Sequence, residues 1–162
     1  MRRSGPLPSV ALAVLLTASA GLPGWKPLGL AEPLPEMRLM AVTELAAGSN
    51  GHFTAKADIN GTPISVLVDT GATAVALSYE DARKVGIKPS TLNFDVKVST
   101  ANGTGLAARV KLRHVMIDNV KVRDVDGLVL QEGVMNGTLL GMSFLGRLRS
   151  FSVENGKLIL KN

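Results

Sequence analysis

The sequence predicts a mainly β domain, and three observations carry that prediction. Asn-Gly recurs four times, at Asn60-Gly61, Asn102-Gly103, Asn136-Gly137 and Asn155-Gly156. Both residues tolerate positive φ, which makes the pair the strongest short hairpin signal. Polar and apolar residues alternate in Phe94-Asp95-Val96-Lys97-Val98 and in Val110-Lys111-Leu112-Arg113, the pattern of half-buried antiparallel strands. Glycine is abundant at 17 residues and falls at turn positions, while hydrophobic residues reach 46% and support a core. Aromatics are only 4%, so that core must be built mainly from Val, Leu, Ile, Ala and Met.

Residues 1–20 read as an export signal. Arg2 and Arg3 give a positive start, residues 10–18 an apolar run, and Ala18-Ser19-Ala20 a cleavage pattern. Gly29-Leu30-Ala31 offers a second cut. An uncleaved anchor is the alternative, although spanning a bilayer takes about 20 apolar residues. The expected location is exported, either periplasmic or membrane-tethered facing the periplasm. Residues 21–48 read as a linker, with Pro23, Pro27, Pro33 and Pro35 and no sustained periodicity. Residues 49–162 form the expected folded domain. Within it, 53–59 and 64–68 flank the first Asn-Gly, 94–99 and 106–117 the second, and 151–153 and 157–160 the last. Residues 120–130 make a further strand. Two segments break the β pattern. Residues 78–86 carry a Ser N-cap, acids in the first turn, bases in the last and Gly at the stop, which predicts a two-turn helix. Residues 142–148 suggest a second short helix, interrupted by Gly146.

Several function classes are excluded at this level. The chain has no cysteine, so it has no disulfide framework, no Cys-based zinc site and no thiol nucleophile. His52 and His114 are too few for a histidine-rich metal site and read as strand residues. The net charge of +5 is scattered, without the clustered Lys and Arg of a nucleic-acid surface. No glycine-rich phosphate loop with a following Lys-Ser/Thr pair is present. Asp124 and Asp126 share a strand face and could meet a cation, but calcium prefers six to eight oxygens. No metal and no cofactor is expected.

The candidate for chemistry is Ile64-Ser65-Val66-Leu67-Val68-Asp69-Thr70-Gly71-Ala72-Thr73. A short β-branched run reads as a buried strand, and it ends in a carboxylate. A charge there is costly unless hydrogen-bonded or used. Thr70 and the turn amides can supply bonds, and Gly71 permits a tight turn. The triplet alone is also an ordinary Asx-type turn. An internal echo follows: Thr138-Leu139-Leu140-Gly141 is again an apolar strand ending in glycine before a helix. The echo lacks an acid, so one chain carries one candidate carboxylate.

Together these pieces resemble the retropepsin-like aspartic proteases, and more closely the single-domain bacterial members that are exported or membrane-tethered. The resemblance covers about residues 51–160. It rests on Asp69-Thr70-Gly71-Ala72-Thr73, the helix from Ser78, the hairpin Thr100-Ala101-Asn102-Gly103-Thr104-Gly105, and Leu139-Leu140-Gly141-Met142-Ser143-Phe144-Leu145. It implies a closed β-barrel of the acid-protease fold, one lobe per chain with one or two short helices, active as a homodimer. It assigns the catalytic acid to Asp69, loop support to Thr70, Gly71 and Ala72, and the flap to residues 100–105. The structural hydrophobic-Gly element falls on Leu139, Leu140 and Gly141. The flap here is polar and small, so a substrate preference does not transfer. The implied activity is aspartic endopeptidase action on an extended peptide or protein. The competing reading is a retropepsin-like peptide-binding or dimerisation module without turnover. A phosphoryl-transfer aspartate lacks the Lys and companion acids it needs.

Overall fold

The computed structural model describes residues 40–100 and 103–162. The export signal, residues 21–39 of the linker, and flap residues Ala101 and Asn102 lie outside the described residues. Among the described residues no helix is long and apolar enough to cross a membrane.

Seven strands form one sheet: β2 (Thr54–Ile59), β3 (Thr62–Val68), β4 (Val75–Leu77), β5 (Val96–Thr100), β6 (Gly103–Ile117), β7 (Val120–Leu130) and β8 (Thr138–Leu140). Their order is β2-β3-β8-β4-β7-β6-β5, and a further β2–β6 pairing closes six of them into a barrel. Closure removes the exposed edges that an open sheet would present. β5 stays outside the ring, where it and the start of β6 form a projecting hairpin. The strands of that hairpin run closer to its turn than the sequence suggests.

Local chemistry explains the connections. Asn60 and Gly61 both have positive φ, as do Asn155 and Gly156, and each pair makes a tight hairpin turn. Asn136-Gly137 differs: it leads into β8, which pairs parallel with β3 and antiparallel with β4. β4 likewise pairs parallel with β7. The alternating segments 94–98 and 110–113 do lie in antiparallel pairs, β5 with β6 and β6 with β7, whereas the parallel pairings have no signature in alternation, which reports which face is buried and not which strand lies alongside.

α1 (Tyr79–Lys84) begins at its expected cap, with Ser78 Oγ accepting the Asp81 amide at 3.1 Å. It is shorter than expected and stops before Gly86, which takes φ +82. α2 (Met142–Leu145) is a single turn ending at Gly146. A 3₁₀ turn at Pro89–Thr91 separates α1 from β5.

A second sheet joins β1 (Val42–Ala46), β10 (Lys157–Lys161) and β9 (Ser150–Glu154) in that order. β1 lies inside the segment read as linker. Its ordering comes from pairing with β10 at the far end of the chain, Val42 opposite Lys161 through Ala46 opposite Lys157. No local signal carries such a pairing. His52, read as a strand residue, lies exposed in the connection between β1 and β2.

The core is aliphatic, as the composition demands. Ile59, Leu77, Leu112, Ile117, Leu140, Leu145 and Leu160 are fully buried, with Phe144 of α2 the largest side chain among them. Among the described residues, Met40, Met116, Met135 and Met142 stay out of the fully buried set. A smaller cluster lies below the β5–β6 hairpin, where Val96, Val98, Leu128, Val134, Met135 and Leu139 pack on Ala76, Ala107 and Leu130.

Candidate active site

Asp69 follows the last residue of β3. Ile64 and Val66 point into the core, so alternation sends Leu67 and Asp69 to the opposite side. The backbone there is tied down twice. The Asp69 amide donates to Leu140 O at 3.1 Å, and the Ala72 amide donates to Asp69 O at 3.3 Å. The carboxylate is half-buried, and its Oδ1 accepts the Gly71 amide at 2.8 Å. A Cβ on Gly71 would lie 3.2 Å from that oxygen, so glycine leaves the carboxylate room. Thr70 is exposed and Ala72 half-buried.

β8 runs beside β3 in register, with Val66 opposite Thr138, Leu67 opposite Leu139 and Val68 opposite Leu140. One step further, Gly141 lies beside Asp69. A Cβ on Gly141 would lie 2.2 Å from Ala74 O and 2.6 Å from Ala72 O. Both are backbone atoms and cannot yield cheaply. The following amide, Met142 N, donates to Ala72 O at 2.8 Å. Leu140 fills the core below, while Leu139 faces the smaller cluster under the hairpin. The hydrophobic-Gly element is thus the inner seat of the Asp69 loop.

The hairpin expected as a flap is present on both sides of its turn. Thr100 Oγ1 donates to Gly103 O at 2.9 Å, and Gly103 has φ +112. Thr104 is exposed. Gly105 packs closely on the 131–137 loop, where a Cβ would meet Val134 Cγ1 at 2.5 Å. The Gln131 amide extends this contact by donating to Leu106 O at 3.0 Å.

Ser143 does more than continue a motif. Its Oγ accepts the Val75 amide at 2.9 Å and donates to Asp126 O at 2.6 Å, joining α2 to β4 and β7. Asp81 and Thr138 also meet, at 2.9 Å across 57 positions. Spacing alone gives no signal for contacts between such distant residues. Asp126 is occupied by an ion pair with Lys111. Asp124 adopts φ +52, and its carbonyl accepts from Arg147. Among the described residues no three His, Asp or Glu side chains gather as metal ligands. An open groove of about 490 Å³ beside α1, lined by Tyr79, Arg83, Ile87 and Lys88, does not include Asp69.

Known proteins resemble this chain in sequence and in fold. The family model described as gag-polyprotein putative aspartyl protease matches residues 55–147. A retropepsin-like aspartic protease from Rickettsia conorii superposes with TM-score 0.68 at 34% identity, covering 75% of this chain and 91% of that one. EIAV protease, solved with the inhibitor HBY-793, shares the fold at TM-score 0.51 and 21% identity, covering 62% of this chain and 91% of that one. An uncharacterized protein in the cobV 5′ region of Sinorhizobium is 44% identical over 113 residues, 70% of this chain and 48% of its own length. An uncharacterized protein of Rickettsia prowazekii is 37% identical over 116 residues, 72% of this chain and 49% of its own. The chain spans about half the length of these curated relatives. With its closed barrel, its Asp-Thr-Gly loop and a family match across most of the barrel, the chain belongs to the retropepsin-like aspartic protease family.

Proposed function

We propose that the chain is an aspartic endopeptidase that hydrolyses peptide bonds with water activated between two Asp69 carboxylates, one from each subunit of a homodimer. One observation carries this reading. The position beside Asp69 on the neighbouring strand is Gly141, where no side chain fits. Peptide hydrolysis without metal or nucleophile needs both a base and an acid. A lobe with one acid at this place obtains the other from a second copy.

The chemistry follows from two carboxylates about 3 Å apart, which share one proton and titrate as a pair. The ionised member takes a proton from water as the water oxygen attacks the scissile carbonyl carbon. The protonated member gives its proton to the carbonyl oxygen. Collapse of the tetrahedral intermediate returns a proton to the leaving nitrogen and yields an amine and a carboxylic acid. In this reading the Gly71 amide steadies the charged carboxylate, and exposed Thr70 braces the partner's loop. Ala72, held by Met142, keeps the loop closed. The hairpin at 100–105 covers an extended substrate and excludes water. Peptide added as a strand presents alternate side chains to pockets, and the apolar cluster under the hairpin suits aliphatic ones. Export to the periplasm, or tethering there, is part of the proposal and rests on residues 1–20 alone.

The test compares the native chain with Asp69→Asn on a diverse peptide library from acid to neutral pH, with sedimentation of both. Cleavage by the native chain alone, from a dimer, is the expected result. Equal cleavage by both chains, or cleavage by a strict monomer, contradicts the shared dyad. Two folded chains that bind peptides and cut none would instead favour a binding module.

A further inference from the structure

Among the described residues four polar side chains are buried: Thr43, Ser78, Asp81 and Thr138. Three of them form one cluster where α1 meets the start of β8. Asp81 Oδ2 accepts the Thr138 hydroxyl at 2.9 Å, and Asp81 Oδ1 accepts Lys84 Nζ at 2.8 Å. Ser78 Oγ accepts the Asp81 amide, and the Ser78 amide donates to Gly137 O at 3.1 Å. Every partner of the buried carboxylate is therefore local to α1 except Thr138. Burying a carboxylate is costly, and an apolar residue would fill such a site at lower cost. The carboxylate must then supply something packing alone does not.

β8 explains what that is. It has three residues, lies between β3 and β4, and is bounded by Gly137 and Gly141. So short a strand has few ladder bonds to fix its register. A slip of one residue would exchange Leu139 with Leu140 across the sheet. It would also move Leu140 O, the acceptor of the Asp69 amide, and Gly141, the seat of the Asp69 loop. We infer that Asp81 is a positioning residue for Asp69: by holding Thr138 it pins the register of β8, and β8 in turn holds the Asp69 loop at its catalytic height. The path runs from Asp81 to Thr138, along two residues of β8 to Leu140 O, and across one hydrogen bond to Asp69. The inference rests on Asp69 being the catalytic acid, and its test has an arm independent of activity.

The experiment uses Thr138→Val, which keeps shape and removes the donor, and Thr138→Ser, which restores it. Lys84→Gln serves as the control that removes the bond from the exposed lysine to Asp81 and leaves the Thr138 bond in place. Hydrogen exchange is read at the Asp69 amide and at amides of β6 and β7, and kcat and KM are read on a cleaved peptide. Thr138→Val is expected to speed exchange at Asp69 about tenfold with little change in β6 and β7. It should lower kcat about tenfold while KM stays within about twofold, because a small misplacement acts on the transition state. Thr138→Ser should recover both, and Lys84→Gln should change neither. Exchange at Asp69 that is unchanged, or that rises equally in β6 and β7, overturns the pin. So does a kcat loss in Thr138→Val no larger than that of Lys84→Gln. A native chain that does not cleave, or one undiminished by Asp69→Asn, removes the protease reading, and the exchange arm still judges the pin.

Discussion

Two strand ends lie side by side in this molecule and meet opposite fates. β3 and β8 run parallel and in register, and each leads into a turn beside the other. After β3 the chain makes an open turn, with Asp69 half-buried and Thr70 and Gly71 exposed. After β8 it turns inward, with Gly141 buried and α2 sending Phe144 and Leu145 into the core. In the proposed mechanism the same local plan serves chemistry on one side and support on the other. The difference teaches why a side chain at the second place is impossible: the backbone that positions Asp69 occupies its space.

Breaking the supporting side should cost most. Gly141→Ala forces a methyl against two backbone carbonyls at 2.2 and 2.6 Å. We expect a loss of about 3 kcal/mol in denaturant unfolding, the upper range for overpacking, with activity falling alongside. A loss under about 0.5 kcal/mol would mean the two loops are not in contact. Leu140→Ala, one residue earlier and fully buried, should cost about 2–3 kcal/mol by creating a cavity. The same unfolding experiment checks it.

Perturbing the chemical side should cost little stability. Gly71→Ala places a methyl 3.2 Å from Asp69 Oδ1, a contact that a few tenths of an ångström relieve. We expect less than about 1 kcal/mol in stability but about a tenfold loss in kcat, since the carboxylate itself must shift. Similar stability costs for Gly71→Ala and Gly141→Ala would erase the distinction between the two ends.

The smallest effect lies away from both. The Gly61 amide, bonded to Asp58 at 2.8 Å, and the nearby His114 hold the Asp58 carboxyl below its ordinary value of 3.8, although partial burial opposes them. A carboxyl lowered on folding stabilises the fold above its unfolded pKa and loses that contribution as pH falls through the folded value. Asp58→Asn should therefore cost about 0.5 kcal/mol near neutral pH, screened by solvent, and progressively less below about pH 4. A penalty independent of pH would assign the effect to packing.

Much of this was legible in the chain. Asn60-Gly61 and Asn155-Gly156 announce their hairpins because the turn needs two positive φ angles that few other pairs tolerate. Ser78 announces α1 because its hydroxyl caps an amide three residues on. Asp69 stands out because a carboxylate at a strand end needs a reason. The illegible parts are the long-range ones. β1 owes its order to β10, the parallel pairing of β3 with β8 has no periodic signature, and Asp81 meets Thr138 only once the barrel has closed. The steric seat at Gly141 is visible only with Ala72 and Ala74 in place, so sequence marks the glycine without its purpose.

The central claim is that each chain supplies one acid and a working site needs two. The most direct measurement titrates Asp69→Asn chains into a fixed amount of native chain, allows subunits to exchange, and follows peptide cleavage. A shared dyad predicts that mixed dimers are inactive, so specific activity falls as the square of the native fraction. Activity that stays constant per native chain would contradict the shared dyad and place a complete site within a single lobe.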